Sequence, residues 1–102
     1  MIRLALVEDD ENYRSQLKEY ITRYAQGSGE RFTVLEFSDG DEIALNYKSE
    51  YDIILMDVEM RFMDGMMAAE EIRKLDTEVI IIFITNSPQY AIKGYAVDAL
   101  DY

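Results

Sequence analysis

Acidic residues follow two apolar segments of the chain, at points where carboxylate chemistry could be built. Glu8 and Asp9 follow the segment Ile2 to Val7, and Asp57 follows an apolar run that ends at Met56. The chain has no His and no Cys, so its chemistry must use carboxylates, hydroxyls, Lys, Arg and the backbone. Carboxylates that lie close together repel one another unless a cation lies between them. Mg²⁺ prefers such hard oxygen ligands, and beside it Asp57 could act as a nucleophile toward a phosphoryl group.

A hydroxyl group follows a third apolar run. Thr85 comes directly after Val79 to Ile84 and could donate a hydrogen bond to a phosphoryl oxygen. Taken singly, a strand-end Thr is more often a helix cap, and acidic residues after a strand are usually solvated loop residues or helix caps, as we expect for Asp10 and Glu11. The joint pattern favours a site, because the carboxyl ends of neighbouring parallel strands meet at one edge of a sheet.

Strand-like and helix-like segments alternate along the whole chain. Strands are predicted at Ile2–Val7, Phe32–Phe37, Tyr51–Met56 and Val79–Ile84, and the last, apolar throughout, is expected to be buried on both faces. A fifth strand begins at Ala99 to Tyr102. The first predicted helix runs from Glu11 to Ala25 and ends at Gly27-Ser28-Gly29, and the second runs from a Ser38 or Asp39 cap to about Asn46. The third follows the turn Asp64-Gly65, and the residues on one of its faces are Met67, Ala68, Ile72 and Leu75. The fourth begins at Ser87-Pro88 and runs to about Tyr95.

This alternation predicts an α/β fold with a doubly wound parallel sheet. The flavodoxin-like strand order 2-1-3-4-5 would set the first strand beside the third, where the acidic residues fall. The sheet is expected to be truncated within the fifth strand, since the sequence ends at Tyr102.

Length and charge exclude several classes of function. A chain of 102 residues suffices for one domain, and a formal net charge of −11 argues against nucleic-acid binding by this segment itself. The longest apolar run is too short to span a bilayer, and Met1-Ile2-Arg3 leads straight into a strand without a signal peptide. We therefore expect no membrane partner and a cytoplasmic location.

Four blocks of the sequence resemble the signature blocks of response-regulator receiver domains of bacterial two-component systems. They are similar in order and spacing and cover essentially the whole chain: Val7-Glu8-Asp9-Asp10, Asp52-Ile53-Ile54-Leu55-Met56-Asp57, Met63-Asp64-Gly65 and Ile84-Thr85. The resemblance implies that residues 1–102 are a receiver domain and that Asp57 accepts a phosphoryl group from a sensor histidine kinase in a Mg²⁺-dependent reaction. At most, such a domain phosphorylates itself from small phosphodonors and dephosphorylates itself, so it is not an enzyme in the usual sense.

The same resemblance implies roles for the residues around the acceptor. Asp9 would bind Mg²⁺ directly, Glu8 through water, and Glu59 through its backbone carbonyl, with Asp57 as a further ligand. Thr85 would be the switch hydroxyl that moves toward the phosphoryl group. Tyr102 would be the switch aromatic of the fifth strand.

One further block narrows the resemblance. Thr85 to Tyr95 followed by Asp98 to Tyr102 is similar to receivers joined to a LytTR-type DNA-binding domain, a group of transcription factors. DNA would then be bound only through a C-terminal effector domain that is absent from this chain.

The sequence departs from the family pattern at two places. Arg61 occupies a loop position where receivers usually carry Pro, and we favour a solvated loop Arg over one that steers a phosphodonor. The Lys that follows the fifth-strand aromatic by three residues would fall beyond Tyr102, and Lys93 does not replace it.

Without the helix after the fifth strand, apolar surface would be exposed, so we expect self-association through the fourth strand and Ala99 to Tyr102.

Two other functions remain open at this point. The first is a receiver-fold interaction module that no longer signals by phosphorylation, since fold does not determine function. The second is a small metal-dependent phosphatase with Asp57 as nucleophile and Glu59 as a substitute for a second acid. The chain is too short for the substrate cap and remaining catalytic loops of such an enzyme, so we favour it least.

Overall fold

A computed structural model describes residues 1–84 of the chain, in which four strands alternate with three helices. The predicted fourth helix and fifth strand lie outside the described residues. Within these residues no helix is long and apolar enough to cross a membrane. The elements are β1 (Ile2–Val7), α1 (Glu11–Ser28), β2 (Phe32–Phe37), α2 (Gly40–Ala44), β3 (Ile53–Asp57), α3 (Gly65–Leu75) and β4 (Ile80–Ile84).

The four strands form one parallel sheet in the order β2-β1-β3-β4. The predicted α/β fold and the strand order 2-1-3-4 are thereby confirmed for this part of the chain. In the register of the central pair, Val7 lies opposite Met56. The residues that follow, Glu8 and Asp57, therefore lie side by side at the carboxyl edge of the sheet.

The main core lies on the face of the sheet covered by α2 and α3. Alternate strand residues point into it, because side chains along a strand alternate between the two faces. The fully buried sheet residues of this core are Ala5, Val7, Ile54, Met56, Ile81 and Phe83, and the helices contribute Ile43, Ala44, Ala68, Ala69 and Ile72.

The expectation that the fourth strand is buried on both faces is wrong in part. Ile81 and Phe83 are buried, but Ile80, Ile82 and Ile84 on the opposite face are only half-buried. Right-handed crossovers place α1 on that opposite face, and none of the residues of α1 is buried. That face is therefore covered less completely than the face under α2 and α3.

Both ends of α1 are capped, by the side chain of Asp10 at the N-terminus and by Gly29 at the C-terminus. The carboxylate of Asp10 accepts hydrogen bonds from the backbone N–H groups of Asn12 and Tyr13, so Asp10 is a helix cap, one of the two ordinary roles expected for acidic residues there. The helix continues past the predicted Ala25 to Ser28 and ends at Gly29, whose φ of 78° suits glycine.

The apolar face predicted for α3 is correct for Ala68 and Ile72 and wrong for two other residues. Met67 is 53% exposed and Leu75 is 64% exposed. At about 100° per residue, Met67 points away from the buried stripe, and Leu75 lies at the edge of that stripe in the last position of the helix. The buried residues of α3 are Gly65, Met66, Ala68, Ala69 and Ile72.

Candidate functional site

Three carboxylates meet at the carboxyl edge of the sheet. Glu8 and Asp9 follow β1, and Asp57 is the last residue of the neighbouring strand β3, so their backbone positions come from the strand register. One carboxylate oxygen of each lies within 4.8 Å of the others. The structure therefore brings together the three side chains that the sequence analysis selected as metal ligands.

The three carboxylates differ in their access to solvent. Glu8 is buried, with 2% of its surface exposed, whereas Asp57 is half-buried and Asp9 is exposed. A bound ion or phosphodonor would therefore reach the cluster from the side of Asp9 and Asp57. Glu8 forms the inner wall.

Burial and mutual repulsion shape the protonation of this cluster. Burial of Glu8, together with the charges of Asp57 and Asp9, raises its pKa from 4.5 to about 8, although the backbone N–H of Asp10 opposes the shift. That N–H lies 3.1 Å from a carboxylate oxygen of Glu8. The inner carboxyl group therefore holds a proton at neutral pH unless a cation offsets the neighbouring charges.

The acceptor candidate Asp57 is affected more mildly. Burial raises the pKa of Asp57, while hydrogen bonds from the backbone N–H of Glu59, the side chain of Glu8 and the backbone N–H of Val58 lower it. The net direction is upward. The backbone donors nevertheless favour a carboxylate whose oxygens are held in a defined orientation.

The donor set fits a hard divalent cation such as Mg²⁺. The side chains offer only carboxylate oxygens, which Mg²⁺ prefers, and the exposed side leaves room for the waters that Mg²⁺ retains. Burial is the main cause of the raised pKa of Glu8, and a cation that neutralised the charges of Asp57 and Asp9 would remove the part that comes from repulsion. Glu59 lies two residues beyond Asp57 with its side chain exposed, and its carbonyl stays a predicted ligand. The predicted switch residues Thr85 and Tyr102 lie outside the described residues.

The turn after the acceptor is built around a glycine. The N–H of Gly65 donates to the carbonyl of Val58 at 2.7 Å. A Cβ atom on Gly65 would overlap the backbone carbonyl oxygen of Asp57. The neighbouring Asp64 caps α3 by accepting from the N–H of Met67 at 2.9 Å. The Met63-Asp64-Gly65 block thus lets α3 begin in direct contact with the end of β3.

Two functional contacts were missed by sequence reasoning. Arg14 donates to the backbone carbonyl of Glu8 at 2.7 Å and to the carboxylate of Glu36 at 3.2 Å, so it anchors the end of β1. Asp39 was selected only as a possible cap for α2, yet its carboxylate also accepts from the N–H groups of Phe62 and Met63. The contacts of Arg14 with Glu36 and of Asp39 with Phe62 and Met63 join residues 22 to 24 positions apart, so no local pattern could have identified them.

Arg61 lies on the rim of the site. It is exposed, as expected for a solvated loop residue, and its guanidinium carbon lies 6.0 Å from the centre of the exposed Phe62 ring. Together with Asp9, Ser38, Asp39 and Glu42, these two residues line a pocket of about 310 Å³. Because three acidic side chains share this pocket, it does not favour an anionic ligand on charge grounds.

Comparison with known proteins supports the family expected from the motifs. The profile of the family described as "Response regulator receiver domain" matches residues 4–102. The chain is 33% identical over 104 residues to the transcriptional regulatory protein RprY of Bacteroides fragilis, covering 99% of the chain and 42% of that protein. It is 29% identical to the sensory transduction protein LytT of Bacillus anthracis, covering 100% of the chain and 40% of that protein. The chain thus spans about two fifths of the length of the curated relatives that it matches.

Solved structures show the same architecture. The structure of response regulator protein TrrA from Thermotoga maritima, in complex with Mg²⁺ and BeF, matches with a TM-score of 0.82 and 27% identity, covering 100% of this chain and 84% of that one. A LuxR-family two-component response regulator from Aurantimonas sp. SI85-9A1 matches in fold with a TM-score of 0.84 and 24% identity, covering 100% and 72%. Given the profile match over nearly its whole length, the chain belongs to the response regulator receiver domain family.

Proposed function

We propose that this chain is a phosphoacceptor receiver that takes a phosphoryl group onto Asp57 from a sensor histidine kinase. One observation carries the proposal. The carboxylate of Asp57 lies at the carboxyl edge of the sheet, with oxygens of Glu8 and Asp9 within 4.8 Å. A carboxylate nucleophile beside a pair of further carboxylates suits cation-assisted phosphoryl transfer.

In the proposed reaction, a phosphoryl group passes from a phosphohistidine of the kinase to the carboxylate of Asp57. An oxygen of the Asp57 carboxylate attacks the phosphorus of a phosphohistidine, the P–N bond breaks, and its electron pair remains on the imidazole nitrogen. The product is an aspartyl phosphate on Asp57. The N–H groups of Glu59 and Val58 favour the ionised carboxylate that the attack requires. Bound Mg²⁺ would supply neutralisation of the charge on the phosphoryl oxygens.

The individual roles rest on the family motifs together with the placement of the carboxylates. Asp9, the exposed member, is proposed as the direct metal ligand, and the buried Glu8 as a ligand through water. The backbone carbonyl of Glu59 completes the proposed set with Asp57. Thr85 is proposed as the switch hydroxyl and Tyr102 as the switch aromatic.

The output is proposed from the relatives. Several are named LytT or LytR, and others are named transcriptional regulatory proteins. With the family match, these names support a regulator of transcription. We propose that it acts in the cytoplasm, that residues 1–102 are its receiver and that a LytTR-type domain outside this chain binds DNA. Phosphorylation of Asp57 would then control transcription.

Labelling with a small phosphodonor tests the acceptor directly. With acetyl phosphate and Mg²⁺, the intact mass of the chain should increase by one phosphoryl group, and Asp57→Asn should abolish the increase. Asp10→Asn is the matched control, because Asp10 is also acidic and near the site but caps α1. Equal labelling of Asp57→Asn and the unsubstituted chain would refute Asp57 as acceptor. A chain that binds Mg²⁺ but takes no label would favour the interaction-module alternative.

A further inference from the structure

Asp39 is a buried carboxylate whose position is not explained by helix capping alone. It is 4% exposed, and among residues 1–84 the only other buried charged side chain is that of Glu8. A buried charge is costly unless it is hydrogen-bonded. Its bond to the N–H of Asp41, the capping bond, is long at 3.5 Å. A helix as short as α2 gives little reason to bury a charge for that bond.

The shorter hydrogen bonds of Asp39 go to the β3–α3 loop, residues 58–64. One carboxylate oxygen accepts from the N–H of Met63 at 2.8 Å, and the other accepts from the N–H of Phe62 at 3.0 Å. Burial raises the pKa of Asp39, but the N–H groups of Phe62, Met63, Asp41 and Gly40 more than offset it, so the pKa is lowered overall. Asp39 is therefore ionised at neutral pH, and charge-assisted bonds of this kind are the strong ones.

The residue after Asp39 approaches the same loop closely. A Cβ atom on Gly40 would overlap the backbone carbonyl oxygen of Met63 and would lie 3.1 Å from the Cβ of Ala68. The start of α2 thus contacts both the N–H and the carbonyl of Met63. This close approach is possible only with glycine at position 40.

The β3–α3 loop needs such an anchor because it includes a proposed metal ligand, Glu59, and contains no proline. It leaves Asp57 at the end of β3 and includes Glu59, the proposed carbonyl ligand. The only Pro of the chain is Pro88, so no proline ring restricts the φ of any residue in the loop. The N–H of Gly65 closes the loop at its base by donating to Val58, and Asp39 holds the middle.

We propose that Asp39 is a positioning residue for phosphoryl transfer: by holding the N–H groups of Phe62 and Met63 it places the β3–α3 loop, and with it the Glu59 carbonyl, relative to Asp57. This inference rests on the proposed function for its role in metal binding. Asp39 is not one of the three carboxylates of the candidate metal site. Partners that orient the ligands of a metal typically affect its affinity by about 10- to 100-fold.

Asp76 offers a matched control for the loss of a structural carboxylate. It accepts from the N–H groups of Glu78 and Val79 at 3.0 and 3.1 Å and from the hydroxyl of Tyr47 at 2.8 Å. It therefore anchors backbone as Asp39 does, but at the opposite edge of the sheet, before β4. Asp76→Ala should destabilise the fold without altering the loop.

The experiment compares Asp39→Ala, Asp39→Asn and Asp76→Ala in the whole chain by NMR. Mg²⁺ is titrated while the backbone amide signals of Val58 and Glu59 are followed, and hydrogen exchange is measured at the amides of Phe62 and Met63. Asp39→Ala should bind Mg²⁺ about 10-fold more weakly and should speed exchange at both amides by about 10-fold. Asp39→Asn should be intermediate, because its side chain keeps one acceptor oxygen. Asp76→Ala should match the unsubstituted chain in both measurements.

Two results would overturn the inference. One is unchanged exchange at Phe62 and Met63 in Asp39→Ala. The other is a Mg²⁺ affinity that Asp39→Ala and Asp76→Ala lower equally, since the effect would then be general destabilisation. Failure of the proposed function looks different: the unsubstituted chain would take no label on Asp57. If it bound no Mg²⁺ either, loop positioning would still be decided by the exchange comparison.

Discussion

Glu8 and Asp57 lie side by side because the preceding residues, Val7 and Met56, are partners in the register of β1 and β3. Their carboxylates are held within 4.8 Å by the sheet itself. Burial of Glu8 next to this second carboxylate raises its pKa to about 8. The acidic cluster is thus electrostatically unfavourable in the fold, and this has consequences for stability.

We expect the free energy of unfolding, measured without Mg²⁺, to decrease as pH rises from about 5 to about 8. A carboxyl group whose folded pKa is raised binds protons more tightly in the folded chain, so its stabilising contribution is lost as pH rises through that pKa. Glu8 and Asp57 both have raised pKa values. The pKa values of Asp39, Asp76 and Glu36 are lowered, so their contributions to the free energy of unfolding change only at lower pH.

Urea unfolding at several pH values measures this effect. Glu8→Gln should flatten the pH dependence, and saturating Mg²⁺ should reduce it in the unsubstituted chain. Glu70→Gln, at an exposed position of α3, is the matched control and should leave the slope intact. A slope that survives Glu8→Gln unchanged would show that other groups cause it.

The contact between Gly65 and Asp57 predicts a large difference between two Gly→Ala substitutions. At position 65 the added Cβ would overlap the carbonyl oxygen of Asp57, whereas at Gly27, inside α1, it would meet nothing within 4 Å. We expect Gly65→Ala to lower the free energy of unfolding by about 1–3 kcal/mol through overpacking. Gly27→Ala should raise it by about 0.5–1 kcal/mol through helix propensity. Urea midpoints check both, and equal effects would contradict the close approach at Gly65.

The buried face of α3 predicts a second contrast, between Ile72 and Met67. Ile72 is fully buried and Met67 is largely exposed, although both were expected on one face of the helix. Ile72→Ala should cost about 2–5 kcal/mol of unfolding free energy. Met67→Ala should change it by less than about 0.5 kcal/mol. Thermal or urea unfolding measures both, and a large loss for Met67→Ala would contradict the orientation of the helix.

Self-association through β4 stays a prediction, and the structure suggests how to test it. Among the four described strands β4 is an edge of the sheet, and Ile80, Ile82 and Ile84 on one face are only half-buried. Apolar edges of this kind pair readily with other chains. Sedimentation velocity at micromolar concentration should therefore detect a dimer or larger species.

Ile82→Lys should shift this species toward monomer, because it adds a charge to the half-buried face. Leu45→Lys is the control, since Leu45 is exposed and directly follows α2, a helix that contacts β2 at the opposite edge of the sheet. Unfolding curves for both variants separate loss of association from loss of folding. A purely monomeric unsubstituted chain would contradict the prediction.

The sequence by itself determined the strands, their order and the meeting of the three carboxylates. Apolar runs of four to six residues separated by amphipathic segments leave few topologies open. Parallel strands place their carboxyl ends at one edge, so Glu8, Asp9 and Asp57 had to come together once the order was known. Even the early expectation of a cap at Asp39 followed from local chemistry, because a short polar side chain before a helix can accept its first N–H groups.

Only the tertiary structure decided which of these groups are buried and what else holds them. The inner position of Glu8 and the outer position of Asp9 depend on how α1 leaves β1, which adjacent acidic residues in a sequence do not reveal. The exposure of Met67 and Leu75 depends on the rotation of α3 against the sheet. The bonds that Asp39 accepts from the N–H groups of Phe62 and Met63, and the bond that Arg14 donates to Glu36, join segments whose proximity arises only from packing. Hydrogen-bond geometry is sensitive to fractions of an ångström, and local sequence patterns carry no information at that scale.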